Sequence, residues 1–224
     1  MTTCREKPCR PRRRLKTGHK IAIGIAAVLL AAAVGYTGFL VAQQLRVRNA
    51  PGAKVETPEW IEVDLLPLNP NSRPGTVLEE VNGIVIHYVG NPNTSAKANR
   101  NYFANLAITR ETYASSHYIV GLEGEIIQCV PLTEISYCSN TRNHDTIAIE
   151  VCHPDETGLF SEETLESLTA LTAWLRAEFD LESSQVIRHY DVSGKICPKY
   201  YVENEDAWLD LLAGVEAAVP TFAQ

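Results

Sequence analysis

The segment Arg188-His189-Tyr190-Asp191-Val192-Ser193-Gly194-Lys195-Ile196-Cys197-Pro198 closes an apolar run with a histidine and places a cysteine eight residues later in a glycine-containing loop. Imidazole nitrogen and thiolate sulfur are good ligands for zinc, and a catalytic zinc site takes three such groups while leaving one position for water. His87, near the end of another apolar, β-branched run, could supply the third. If the two runs are adjacent strands, their ends bring His87 and His189 together, and the loop folds Cys197 back onto both. Each residue alone is a weak signal. A lone strand-end histidine is more often structural, and a lone cysteine more often a small buried hydrophobe.

The elements that must position these groups are legible as short runs. Gly83–Val89, His117–Val120, Glu125–Val130, Thr146–Cys152 and Gln185–His189 read as buried strands. Gly121-Leu122-Glu123-Gly124 between the second and third is a hairpin signal. Thr94 or Ser95 could cap a helix through Asn105. Ser161 could cap a stronger one, with Glu162 and Glu163 where acids suit the helix dipole. Leu165, Leu168, Leu171, Leu175 and Phe179 then share one apolar face. A last helix is expected over Glu205–Ala218. Strands interleaved with helices, plus one hairpin, predict an α/β fold with a mixed central β-sheet flanked by helices.

Four of these segments, in order, carry a resemblance. IVIHY, SSHYIV with its Gly-turn hairpin, TIAIEVC and RHYDVSGKICP resemble the landmarks of the zinc-dependent N-acetylmuramoyl-L-alanine amidases. That group includes phage endolysin amidases and is related to peptidoglycan-recognition proteins. The similarity covers about residues 80–205. It implies that His87, His189 and Cys197 bind Zn2+, that Glu150 is the catalytic acid/base, and that Lys195 assists the transition state. Some members instead use a tyrosine just before the histidine of the SHY-like segment; here that place is Ser116. The implied substrate is peptidoglycan or its muropeptides, cut at the amide between N-acetylmuramic acid and L-alanine. The roles are chemically coherent. Zinc lowers the pKa of bound water to ~7 and polarises a carbonyl. Glu150, amid Ile147, Ala148, Ile149 and Val151, could move the water's proton to the leaving amine, and Lys195 could stabilise an oxyanion. A wall-recognition module that binds without cutting is the rival reading. A purely structural zinc would need a fourth ligand, for which His117 or Cys152 is the place to look. His117 otherwise reads as a structural ring, and His144 and His153, beside turn residues, as exposed. Tyr190, Asp191, Tyr200 and Tyr201 could line a groove or simply pack.

The chain's net charge of −7 averages two unlike parts. Residues 1–20 carry eight basic side chains against one acid, and residues 21–42 carry none, so residues 43–224 hold a net charge of −14. An acidic body argues against a nucleic-acid partner. Residues 21–42, as a helix, would be roughly 33 Å long, enough for a hydrocarbon core of ~30 Å. A cleaved signal peptide would have only ~7–15 apolar residues before a small-residue cleavage site. This stretch is longer and is followed by Gln43, Gln44, Arg46 and Arg48, so an uncleaved anchor is expected. Basic residues stay in the cytoplasm, which puts the basic tail (1–20) inside and the rest outside the cell membrane. Residues 43–75, with five prolines, read as a linker that could add a short strand near Trp60–Leu66. The amidase domain is expected over 76–224. Of six cysteines, Cys4 and Cys9 fall in the tail, and with Cys197 set aside for chemistry the odd remainder argues against a full disulfide framework.

Overall fold

The computed structural model describes residues 17–222; most of the basic tail, with Cys4 and Cys9, lies outside that range. The described residues fall into two compact units that divide between Leu45 and Arg46. The first holds most of helix α1 (Thr17–Asn49), which runs past the expected end at residue 42 and a few residues beyond that division. Among the described residues it alone, over Ile21–Asn49, is long and apolar enough to cross a membrane.

The second unit is built on six strands: β1 (Glu62–Val63), β2 (Ile84–Tyr88), β3 (Tyr118–Val120), β4 (Ile126–Gln128), β5 (Ile147–Val151) and β6 (Val186–Arg188). Their order is β1-β4-β3-β5-β2-β6. Only β3 and β4 pair antiparallel, through the Gly121–Gly124 turn; every other pair is parallel. The expected mixed sheet is therefore present. The two central strands read as nearly unbroken apolar runs because both faces are covered. Alternation divides the strands between two cores: Tyr118, Val120 and Ile126 of β3 and β4 join Ile84, Ile86, Ile147 and Ile149 in a larger one with Leu168, Leu171 and Leu175, while Ile119 and Ile127 join a smaller one with Phe103 and Leu106.

Helix α2 (Ala96–Thr109) covers the smaller core. Ser95 caps it, its hydroxyl accepting from Ala98 N at 3.2 Å. The helix passes Asn105 because its stop is Arg110, in the left-handed region at φ 56°. Helix α3 (Glu162–Phe179) lies over the larger core beside α6 (Glu205–Ala218). Ser161 caps α3 by accepting from Thr164 N, and its own hydroxyl reaches Leu122 O in the hairpin turn. Two short helices, α4 (His189–Ser193) and α5 (Lys199–Glu203), lie between β6 and α6.

The proline-containing segment 46–75 belongs to the second compact unit. β1 pairs with β4, and Ile61 and Leu66 are buried. Arg73 fastens the rest: its guanidinium donates to both Glu134 carboxylate oxygens, at 2.8 and 2.7 Å, and to Leu66 O at 2.7 Å. Prolines forbid long helix here, where past α1 only a 3-10 turn forms over Pro51–Lys54, but not ordered extended chain held by side chains.

Leu168 is fully buried in the larger core. Leu168→Ala is expected to cost about 2–5 kcal/mol, read as a lower urea midpoint with an unchanged slope.

Candidate metal centre

His87 and Glu150 sit opposite each other in register on the parallel pair β2 and β5. In-register residues of neighbouring strands share a face, so both side chains leave the sheet on the side away from α3, at the carboxyl ends of the strands. That edge is where open α/β sheets carry their ligands. His189 follows β6 directly. It opens α4 rather than closing the strand, because Arg188 acts as its cap: Asp191 Oδ2 accepts from Arg188 N at 2.8 Å, and the Arg188 guanidinium holds the same carboxylate. α4 ends at Gly194, φ 75°, and Tyr190 N then donates to Cys197 O at 3.0 Å. This bond turns the loop back on itself and delivers the thiol to the sheet edge.

The ligand atoms of His87, His189 and Cys197 consequently lie within 4.8 Å of one another. The two imidazole rings are 4.6 Å apart, and Cys197 Sγ is 4.0 Å from His87 Nδ1. His87 Nε2 meets Ser139 Oγ at 3.2 Å. Both ring nitrogens of His189 and Glu150 Oε2 are buried without a hydrogen-bond partner. Buried polar atoms are nearly always paired, so an unpaired imidazole grouped with a second imidazole and a thiol fits a bound divalent cation that takes nitrogen and sulfur ligands. A cavity of about 300 Å³ adjoins them, lined also by Glu150 and Lys195.

Burial sets the protonation states. It holds His87 far below the usual histidine value, with the neighbouring His189 and Lys195 adding to the effect. His189 is lowered by burial and by Lys195. Both rings are thus neutral, the form that binds metal. Burial raises Glu150 to about 7 against the opposing pull of Cys138 and Lys195. Burial and Glu150 push Cys197 up to about 12; a cation at the sulfur reverses that preference.

Several neighbours were not singled out by sequence. Cys138 Sγ donates to Glu150 Oε1 at 3.4 Å, and His87, Cys138 and Glu150 form a second group able to hold a metal. Asn143 Oδ1 accepts from both Cys138 N and Ser139 N, at 3.1 and 2.6 Å, fixing the loop that carries them. Tyr88, Tyr113 and Tyr137 line the cavity, whereas Tyr190, Tyr200, Tyr201 and Asp191 do not. Tyr201 is stacked on Phe160, and Asp191 is held by Arg188. Only Cys138, eight residues before the run TIAIEVC opens at Thr146, and the nearby Asn143 marked this loop, and nothing in that spacing points to a carboxylate.

His117 is turned away from the cluster. Its Nδ1 accepts from Ala148 N at 3.0 Å and its Nε2 meets Glu134 O at 2.9 Å, so the ring braces three segments. Cys152 packs in the smaller core. His144 is exposed as expected, but His153 is buried, not exposed. Its ring packs on Tyr88, and its nitrogens meet Val89 O and Asp155 O at 2.9 and 2.7 Å. The turn residues around it were misleading because its side chain packs back against the end of β2.

A model of the N-acetylmuramoyl-L-alanine amidase family matches residues 78–200. N-acetylmuramoyl-L-alanine amidase CwlL of Bacillus licheniformis is 33% identical over 150 residues, covering 61% of this chain and 41% of CwlL. N-acetylmuramoyl-L-alanine amidase BlyA of Bacillus subtilis (strain 168) is 30% identical over 173 residues, or 68% of this chain and 46% of BlyA. The chain thus spans less than half the length of these relatives. Among solved structures, the catalytic domain of XlyA superposes with a TM-score of 0.59 at 27% identity, covering 69% of this chain and 98% of that one.

Burial holds His117 down at about 4. Its folded value lies below the unfolded ~6.5, so its contribution to stability is complete above that pH and is lost as pH falls from ~6.5 to 4. Thermal melts across this range should show a steeper acid loss for the wild type than for His117→Gln. Equal slopes would contradict the neutral, braced ring.

Proposed function

This chain belongs to the N-acetylmuramoyl-L-alanine amidase family, and on that premise we propose that it is a zinc hydrolase cutting the amide between N-acetylmuramic acid and L-alanine in peptidoglycan. The observation that carries the reading is the convergence of His87, His189 and Cys197 beside Glu150, with the buried His189 nitrogens left unpaired. Two imidazoles and a thiolate are a three-ligand set of the kind catalytic zinc sites use. Neither His117 nor Cys152, the sequence's two candidates for a fourth ligand that would close the site, is in the group.

Zinc bound there supplies Lewis acidity toward the amide carbonyl and the attacking water. The chain's own residues do the rest. Ser139 takes a hydrogen bond from His87 Nε2–H, which leaves Nδ1, the nitrogen facing Cys197, as the ligand atom. Glu150 accepts the proton of the attacking water as the new C–O bond forms. It then gives that proton to the leaving L-alanine nitrogen as the C–N bond breaks. A carboxyl raised to about 7 by burial is suited to both halves of this transfer. Cys138, donating to Glu150 Oε1, fixes one oxygen and leaves Oε2 for the water. Lys195, in the wall of the same cavity, is placed to stabilise the oxyanion.

The amidase domain occupies 76–224 in this reading, with 46–75 part of the same compact unit. Helix α1 anchors the protein in the cell membrane as a single pass. The basic tail stays in the cytoplasm and the catalytic domain faces the wall. A helix of this kind near an N-terminus also passes as a signal sequence, and the size of the membrane-bound protein separates the two.

The full-length chain incubated with muropeptides should release L-alanine amino groups, and a chelator should abolish this. Release that persists without metal, or muropeptide binding with no release, would overturn the reading. Cys197→Ser should lose most bound zinc along with turnover. Glu150→Gln should keep zinc and lose about 10²–10⁴-fold in kcat; an unchanged kcat would remove Glu150 from the mechanism.

A further inference from the structure

Cys138 lines the same cavity as the candidate metal ligands but belongs to a different triad. The ligand atoms of His87, Cys138 and Glu150 lie within 4.8 Å of one another, as do those of His87, His189 and Cys197. The two triads share only His87. Its Nδ1 faces Cys197 at 4.0 Å, while its Nε2 meets Ser139 Oγ, next in the chain to Cys138, at 3.2 Å.

Cys138 Sγ and Glu150 Oε1 are 3.4 Å apart. Zinc holds sulfur at about 2.3 Å and carboxylate oxygen at about 2.1 Å, so two such ligands on a tetrahedral ion stand roughly 3.6 Å from each other. The pair is therefore already at ligand spacing, with a proton where an ion would lie. Neither group has to travel. Asn143 Oδ1 accepts from both Cys138 N and Ser139 N, which fixes the loop, and Glu150 is set by the register of β5 on β2. Glu150 Oε2, buried without a partner, offers a further oxygen.

The charge also balances. A thiolate and a carboxylate together carry two negative charges, which match one divalent cation and leave no excess charge in a buried place. His87, His189 and Cys197 offer a single negative charge, so a cation held by them stays net positive and keeps its pull on water. A sulfur ligand selects a thiophilic cation such as zinc or cadmium over magnesium or calcium, which take oxygen ligands. With His87 committed to the first triad, water from the cavity completes the second cation's shell.

We propose that Cys138 and Glu150 form a second, inhibitory position for a thiophilic divalent cation beside the first. The S–H proton leaves to solvent as the sulfur–metal bond forms, and the shared ion replaces the hydrogen bond between the two side chains. Repulsion between two cations in one cavity makes this the weaker site. The inhibition rests on the amidase reading, in which Glu150 is the base: a carboxylate bound to a cation no longer takes the water's proton. Turnover is then greatest with one cation bound and falls as the second binds.

Two measurements test this on the full-length chain. The first is titration of the metal-free protein with cadmium, followed by equilibrium dialysis and by sulfur-to-cadmium charge transfer. The wild type should bind one cation more than Cys138→Ser and gain the absorbance of one further thiolate in that step. Cys4 and Cys9 are the same in both chains and cancel in the difference. Equal stoichiometry and equal absorbance would overturn the site. Glu150→Gln should keep the first step and weaken the second by more than about tenfold, the least that loss of even an outer-shell partner costs. An unchanged second step there overturns the site even where the serine variant misfolds. The second measurement is muropeptide hydrolysis against rising free zinc. The wild-type rate should pass through a maximum and then fall towards that of Glu150→Gln. A rate that holds its plateau while the second cation binds overturns the inhibition. Where the second cation binds but no muropeptide is cut at any zinc concentration, the site stands and only the amidase reading fails.

Discussion

The structure depends first on the register between β2 and β5. Parallel pairing of Ile84 with Ile147 sets His87 opposite Glu150 three residues on. Because side chains alternate, the same register puts Ile84, Ile86, Ile147 and Ile149 on the opposite face, in the larger core. A slip of one residue would drive a histidine or a carboxylate into that core and expose isoleucines. Burying even one unpaired polar group costs roughly 2–7 kcal/mol, comparable to a whole domain's margin of stability. The packing that holds the sheet together and the placement of the candidate chemistry are therefore one constraint.

Around that pair, burial sets the electrostatics. The sheet edge and the loops from 138 to 143 and 189 to 197 bury the cluster, which holds both imidazoles neutral and raises the carboxyl and the thiol. The environment thus disfavours charge on every group in it. Such a place is costly unless a cation balances it, and the unpaired nitrogens of His189 are the visible part of that cost. Outside the cluster, each buried histidine meets partners with both nitrogens: His117 braces β5 and the 134–136 loop, and His153 ties together Val89 and Asp155. The contrast separates structural rings from candidate ligands more sharply than burial does.

The segment before the family match lines a second cavity, which shares Tyr113 and Tyr137 with the one at the cluster. Arg73 locks it to Glu134, whose carbonyl in turn meets His117, and Asn71 reaches across to pin Tyr113. A proline-containing stretch that looks like a tether is thus part of the wall.

Much of the architecture was legible because its causes are local. Five β-branched runs, a glycine hairpin turn, serine caps and one leucine face dictate the elements wherever the chain goes, and the ordered motifs single out His87, Glu150, His189, Lys195 and Cys197. Partnership was not legible, since it depends on strand order and crossovers that bring residues 87, 150 and 197 to one edge. Cys138, Ser139 and Asn143 carry no pattern that foretells a carboxylate and an imidazole above them. Tyr113 resembles any surface tyrosine until Asn71, forty-two positions earlier, is seen to hold it. His153 has a turn's neighbours and a core's surroundings. Local chemistry is written along the chain because each residue's conformational preference acts over a few bonds; distances, burial and the proton affinities that follow from them exist only once the sheet has closed.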